Sequence, residues 1–317
     1  TAMREDGRIP TPADTNGANT GRYKHRVVCN IPRATSLYGD KMRGLFGVSP
    51  NKYQLGFDFA SLEARIEGHY VYKYPGGPEL AAALLLEKPN DIHTTMAKRL
   101  GIARDGAKSV NYAVLYGAGA PKIAKMLGIG LAAAQGIIEA FWEELAPLKA
   151  LKDKLEEYWK TVGGKKFILG IDGRKIYTRS AHSLVNALFQ SGGGLAAKYV
   201  AVEIARRNGQ AGLLLEPFTH DVEACSGVSQ MIVYHDEVQY SVSRDMVRFE
   251  TFSDEAEAKA AGKLGSSAVG HAKRFYRAYS PMHDTIKASI EHVVKDLKIA
   301  VELGFEYQVG LDWYQCH

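Results

Sequence analysis

The chain has 317 residues, 46% hydrophobic and 24% charged, a globular composition with ample core that excludes a disordered or fibrous protein. No apolar run reaches the roughly 18 residues of a membrane span, so no membrane partner is expected. Net charge is +5, and the three scattered cysteines, Cys29, Cys225 and Cys316, exclude a disulfide frame and favour a reducing, cytoplasmic setting.

Thr1 opens the chain with neither a Met nor an apolar leader, so a fragment or a processed product is expected. Residues 1–54 are rich in Gly, Pro, Asn and Thr and are predicted to form loops and short strands. Tyr53–Ala60 (YQLGFDFA) reads as a strand running into a helix over 61–72, with Leu62, Ile66 and Tyr70 on one face. Past the Pro75-Gly76-Gly77-Pro78 break the pattern is helical over 78–86, 91–100, 104–116, 121–127 and 131–160, the last bending at Pro147. A hairpin over 167–178 turns at Asp172-Gly173. A helix over 184–207 follows, whose Gly192-Gly193-Gly194 reads either as a flexible helix start or as room for a DNA backbone. Gly-containing loops, a hairpin through Val233–Val242 (VYHDEVQYSV) and a helical region to Leu303 complete the chain. The fold class is α+β, a strand-containing base interrupted by an all-helical insertion from roughly 80 to 180.

Charge is unevenly spread. Residues 1–54 carry nine Lys/Arg against four acids, and 98–125 and 160–180 each carry six against one. One such stretch is ordinary solvated surface; three suggest a polyanion-binding face assembled in three dimensions.

Arg104, Lys108, Tyr112 and Tyr116 recur every four residues and so share one side of a helix. Cations at a helix N-terminus oppose the helix dipole, so helix stability does not explain them. Arg and Lys one turn apart suit a triphosphate, and a ring one turn on suits a base or sugar. The plainer alternative is an amphipathic helix with snorkelling cations and core tyrosines. His93, on the preceding helix, is a further candidate phosphate donor.

Asp236 and Glu237 adjoin on an extended chain, so their side chains face opposite ways and do not clasp one ion together. Asp58, among apolar residues at the end of its strand, is the candidate partner of Asp236, because a carboxylate there is costly to bury alone. Two aspartates with phosphate oxygens and water make a hard-oxygen Mg²⁺ site, and two such ions would activate an attacking hydroxyl and stabilise a leaving pyrophosphate. Without Asp58 the His235-Asp236-Glu237 stretch is an exposed hairpin tip. His220, Asp221, Glu223 and Cys225 have metal-ligand types but mixed spacing, which fits a solvated loop better than a zinc site.

These elements together resemble family A, the DNA polymerase I-like group, and most of all its bacteriophage replicative members. Asp58-Phe-Ala-Ser-Leu-Glu63-Ala-Arg65 matches the first family motif, Arg104-x3-Lys108-x3-Tyr112-x3-Tyr116-Gly117 the second, and His235-Asp236-Glu237 the third. Thr20-Gly21-Arg22 with Asn30-Ile31-Pro32, Asp91-Ile-His93-Thr, Asp172-Gly-Arg-Lys, Arg179-Ser180, Asn186, Gln190-Ser191 and Cys316-His317 extend the likeness over nearly the whole chain. Ala60 stands where the family commonly has Ser, and an Ala/Gly/Lys-rich insertion lies around Glu255–Ser280.

The resemblance implies a right-hand fold. Residues 1–80 would be the first part of the palm, 81–180 the fingers, and 181–317 the second part of the palm. It implies template-directed addition of dNTPs to a primer 3′-OH by a two-metal-ion nucleotidyl transfer, with two Mg²⁺ (or Mn²⁺) ions at Asp58, Asp236 and Phe59. Lys108 and Glu237 join the catalytic set, Lys108 protonating the pyrophosphate and Glu237 supporting the metal site. His93, Arg104 and Lys108 would grip the triphosphate, Tyr112 would stack near sugar and base, and Glu63 would be the steric gate against a ribose 2′-hydroxyl. Tyr116 would sit by the templating base. Arg22, Asn186, Gln190 and His235 would lie along the minor groove or primer end, and Arg179 on the DNA backbone. The family's thumb and 3′–5′ exonuclease are absent from these residues. A second chain, or an N-terminal part not included here, is expected to supply the thumb and proofreading.

Two rival readings stay open. A single-subunit RNA polymerase would share the aspartates and the cationic helix, but Glu63 and Glu237 argue against it. A non-catalytic nucleic-acid-binding subunit is disfavoured because both aspartates are intact.

Overall fold

The computed structural model describes residues 3–86, 90–115, 117–213, 227–254, 256–257, 266–267 and 275–316. β1 (Ala13–Asp14) and β2 (Lys24–His25) form a two-stranded ribbon, followed by a short helix α1 (Gly39–Gly44). β3 (Lys52–Ala60) then enters a seven-stranded sheet and turns at once into α2 (Leu62–Val71). Ser61 makes that turn in the left-handed region at φ 52°, which L-residues adopt at some strain.

The helices α3 (Gly77–Leu84), α4 (Ile92–Leu100), α5 (Arg104–Leu115), α6 (Ala120–Leu127), α7 (Leu131–Glu144) and α8 (Ala146–Thr161) come next. The single long helix expected over 131–160 is two helices. Its break falls at Leu145 (φ −101°, ψ 43°), and Pro147 sits in the first turn of α8, where its missing N–H is harmless. The hairpin β4 (Phe167–Leu169) and β5 (Lys175–Tyr177) precedes the long α9 (Leu184–Gln210). The three glycines at 192–194 are therefore inside α9 and do not open a helix. They let α9 lie close on its neighbours, Gly192 against Ile66, Gly193 against Leu62 and Gly194 against Arg22.

The remaining strands are β6 (Val228–Tyr234), β7 (Glu237–Ser243), β8 (Arg248–Phe252), β9 (Ser266–Ser267), β10 (Phe275–Tyr279) and β11 (Gly304–Gly310), with α10 (Met282–Asp296) before the last. Sheet order is β6-β7-β3-β11-β9-β10-β8, antiparallel throughout except β9 beside β11. The helical region expected to Leu303 is present as α10 (Met282–Asp296), while the described residues before it form the strands β8, β9 and β10. Arg248–Phe252 (RFETF) and Phe275–Tyr279 (FYRAY) are aromatic-rich and find each other across the insertion, a pairing that no local periodicity announces. Residues 255, 258–265 and 268–274 of the insertion and the His220–Cys225 cluster lie outside the described residues.

β3 is an interior strand, between β7 and β11, and shows both faces of the sheet. Leu55, Phe57 and Phe59 join a core that includes Ile66 of α2, Leu188 of α9 and Ile286 and Ile290 of α10. The alternate positions Gln54, Gly56 and Asp58 share the opposite face. The C-terminal segment lies on that face so closely that a Cβ on Gly56 would come within 2.2 Å of the Cys316 carbonyl oxygen. The result is a mixed helix–sheet protein with antiparallel sheets, in agreement with the α+β expectation.

Candidate active site

Asp58 ends β3, and Asp236 occupies the two-residue turn between β6 and β7, with β7 paired directly to β3. The Phe59 N–H donates to the Asp236 carbonyl oxygen at 3.3 Å, which ties the two loci together. His235, at φ 58°, makes the left-handed turn that presents Asp236. Both aspartates line one cavity of about 490 Å³, together with Phe59, Glu63, Glu67, Asp91, His93, Asn111, Tyr112 and Asn186. Two residues distant in the sequence by most of the chain thus meet where the motif reading puts them.

The cavity's walls come from α2, α4, α5 and α9. Because β3 runs straight into α2, Glu63 stands one turn from Asp58. Crowding by the walls pushes its pKa up, Arg22 pulls it down and Asp236 adds to the rise. His93 and Tyr112 face each other with ring centroids 6.0 Å apart, bridging α4 and α5. Burial lowers the His93 pKa, and its Nδ1 has no hydrogen-bond partner among the described residues. The Asn186 Oδ1 is likewise buried without one.

Lys108 is exposed on α5, one turn before Tyr112. Arg104 does not line the cavity. Its Nε donates to Asp91 Oδ1 at 3.2 Å and its Nη2 pairs with Asp91 Oδ2. Asp91 Oδ1 also accepts the Thr94 N–H at 2.9 Å as the N-cap of α4. The guanidinium's hydrogen bond, first among the causes, holds the Asp91 carboxyl well below the usual carboxylate range. Asp91 appears in the sequence only as part of a short match, and its clamp on Arg104 depends on α4 packing against α5.

Glu237 also stays outside the cavity. It is 3% exposed, and its Oε1 accepts from Trp313 Nε1 at 2.5 Å and Gln239 Nε2 at 2.6 Å. It braces the hairpin that carries Asp236 against the C-terminal segment. Arg22, His25 and His235 form a group beside the cavity mouth. His25 and His235 meet edge-on at 5.3 Å, and burial lowers both pKa values, that of His25 to about 4. Gln190 follows Asn186 by one turn of α9, and Arg179 is exposed just before that helix. Tyr116 lies outside the described residues. Glu67 and Asn111, which the sequence reading passed over, line the cavity from α2 and α5. Glu67's spacing of four from Glu63 was a readable signal of a shared face.

The oxygens of Asp58, Asp236 and the Phe59 backbone are hard donors, and the Phe59 ring is buried in the core, leaving its carbonyl as the group available. Magnesium needs only one or two carboxylates when phosphate oxygens and water complete its shell, so this donor set fits. Among the described residues no group of three or more His, Cys, Asp or Glu side chains is placed to hold a metal by itself.

Residues 1–261 match the family model for DNA polymerase family A. The chain belongs to DNA polymerase family A. It is 34% identical over 219 residues to the DNA-directed DNA polymerase of Enterobacteria phage T3, covering 62% of this chain and 30% of that protein. The figures for the enzyme of Escherichia phage T7 are 33%, 62% and 30%. The chain therefore spans about a third of the length of these relatives. The POL domain of Pol1 from M. smegmatis, solved with DNA primer-template and dNTP, shares the fold at TM-score 0.72 and 17% identity over 99% of this chain and 49% of that one.

Proposed function

We propose that this family A chain carries out template-directed DNA synthesis, adding dNTPs to a primer 3′-OH with release of pyrophosphate. The observation that carries the reading is the single cavity in which Asp58 and Asp236 meet Glu63, His93 and Tyr112. The family A membership supports it, as do relatives named DNA-directed DNA polymerase. In this reading the sheet is the palm and the helices between α2 and α9 are the fingers, so the palm is made of two separated stretches, 1–80 and 181–317.

Asp58, Asp236 and the Phe59 carbonyl would hold two Mg²⁺ ions, for which Mn²⁺ is a substitute. When bound, such ions supply Lewis-acid polarisation of phosphate oxygens and lower the pKa of a coordinated hydroxyl. The rest is done by the chain's own side chains. His93, Lys108 and Arg104 bind the triphosphate, and Arg104 reaches it by exchanging Asp91 for phosphate. Lys108 delivers a proton to the departing pyrophosphate. Tyr112 packs on the sugar and base, and Glu63 closes the space a 2′-hydroxyl would need. Arg22, Asn186, Gln190 and His235 contact the primer end and minor groove. Arg179 meets the DNA backbone, and Tyr116 the templating base. Positioning of this kind, more than new chemistry, is what a phosphoryl-type transfer asks of its protein. Glu237 acts through the hairpin it braces.

Since the chain covers a third of its phage relatives, a thumb and a proofreading exonuclease would come from a further part of the protein or a second chain. The setting would be the cytoplasm of a bacterial host. No single described helix is long and apolar enough to cross a membrane.

Primer extension tests the proposal. Asp236→Ala should abolish extension while primer-template binding persists; extension by that variant, or by wild type without divalent metal, would overturn it. Preferential use of rNTPs would favour an RNA-synthesising enzyme instead.

A further inference from the structure

Arg22, assigned above to the primer end, hangs from a stretch of backbone that another cation holds. Lys198, half-buried on α9, donates from its ammonium to the carbonyl oxygens of Thr15 and Gly21. The same Nζ stands 4.8 Å from the centroid of the Tyr23 ring. Gly21 and Tyr23 are the residues on either side of Arg22, so one ammonium engages the chain both before and after it. An ammonium has three N–H donors, and two carbonyls with a ring face are enough to satisfy it. Asp14 acts on its charge only at a distance and forms no ion pair with it. Gly21 turns in the left-handed region at φ 73°, and its N–H donates to the Ala18 carbonyl at 2.8 Å, which closes the loop that Lys198 grips. The Arg22 side chain then runs along α9. A Cβ on Gly194, one turn before Lys198, would come within 2.8 Å of Arg22 Cγ and 3.6 Å of its Cα.

Beyond Arg22 the contacts continue to the hairpin that carries Asp236. The Tyr23 ring is 5.7 Å from His25, and His25 meets His235 edge-on at 5.3 Å. A long arginine side chain is only as well aimed as the backbone and stem it hangs from, and ordering it before DNA arrives lowers the entropy lost on binding. We propose that Lys198 is a positioning residue for the primer terminus: by holding the chain on both sides of Arg22 it aims that guanidinium at DNA bound beside the cavity mouth, without touching the DNA itself. The inference rests on the reading of Arg22 as a primer-end contact. The competing account is a purely architectural tie between the β1–β2 ribbon and α9. The two differ in whether the loss caused by removing Lys198 passes through Arg22.

The test is a double-mutant cycle on primer-template affinity, read by equilibrium fluorescence anisotropy with the whole chain and a matched primer. Arg22→Ala should weaken binding about tenfold, the size of one charge-assisted hydrogen bond. Lys198→Met, which keeps the apolar stem over Tyr23 and loses the donors, should weaken it by about three- to tenfold. The double variant should bind as Arg22→Ala does, because an unaimed arginine and an absent one are alike to the DNA. The dNTP affinity of Lys198→Met saturated with primer-template should match that of wild type. Losses that multiply in the double variant, a Lys198→Met that binds like wild type, or a fall in dNTP affinity alongside the DNA affinity would each overturn the positioning role. Should Lys198→Met not fold, Lys198→Gln takes its place in the cycle and is read by the same criteria. An Arg22→Ala chain that binds like wild type removes Arg22 from the primer end and this inference with it, leaving the polymerase reading in place. A wild type that binds no primer-template removes that reading as well.

Discussion

The indole N–H of Trp313 donates to Glu237 across 2.5 Å, joining the C-terminal segment to the strand that follows Asp236. Arg43 stacks on the same ring, its guanidinium carbon 4.3 Å from the centroid. Gln239 gives the Glu237 carboxylate a second donor and also reaches the Cys316 carbonyl at 3.4 Å. Trp313→Phe keeps a ring in place but strands part of a buried carboxylate, so it should destabilise the fold by about 1–3 kcal/mol. Urea unfolding measures this; a variant as stable as wild type would mean that Glu237 is satisfied without the indole.

Asp91 has two tasks, capping α4 and clamping Arg104. Asp91→Asn retains a good cap and weakens the clamp, which frees Arg104 for phosphate. The expected outcome is a several-fold lower Kd for dNTP in a binding titration. An unchanged or higher Kd would argue that Arg104 serves the α4–α5 contact alone. The pH sign is also fixed: the Asp91 pKa is depressed, so its contribution to stability is present above the unfolded carboxylate value of about 4 and is lost on acidification through the lower folded value.

What could be read from the sequence was what local spacing carries. The strand through Phe57, Asp58 and Phe59, the four-residue rhythm of Arg104, Lys108 and Tyr112, and the hairpin around Asp236 all follow from periodicity and motif, and the cavity gathers Asp58, Asp236, Glu63, His93, Tyr112 and Asn186. The misses are long-range. Trp313 is 76 residues from Glu237, and β8 meets β10 only across the insertion. Neither contact leaves a local pattern. The engagement of Arg104 by Asp91 was hidden for a related reason, since helical spacing tells which side chains share a face but not what the neighbouring helix offers them.

The tight crossing of α9 on α2 should be sensitive to a single methyl. A Cβ on Gly192 would lie 2.8 Å from Ile66 Cγ2, and Ile66 is fully buried with little room to give. Gly192→Ala should destabilise by about 1–3 kcal/mol through overpacking, and weaken dNTP binding by moving the helix that carries Glu63. Gly136 in α7 is the control, because its added Cβ meets nothing within 4 Å. Gly136→Ala should stabilise by about 0.5–1 kcal/mol from helix propensity. Thermal melts of the two variants should move in opposite directions.

Glu67 makes a prediction about stability that is independent of any ligand. Its pKa rises from 4.5 to about 8 on folding, so between those values the folded chain holds a proton that the unfolded chain has lost. Below that range both states are protonated and the residue is neutral to stability; as pH rises through it, stability drains away, and above it the loss levels off. Gln in its place carries no proton to lose. The stability difference between Glu67→Gln and wild type should therefore grow in favour of Gln from about pH 4.5 and flatten above about pH 8, by roughly 5 kcal/mol at the plateau. Urea unfolding at a series of pH values gives the difference directly, with the chain's other titrations cancelling between the two proteins. A difference that stays flat with pH would show that Glu67 ionises as readily inside the fold as outside it, and that some group in the cavity compensates its charge.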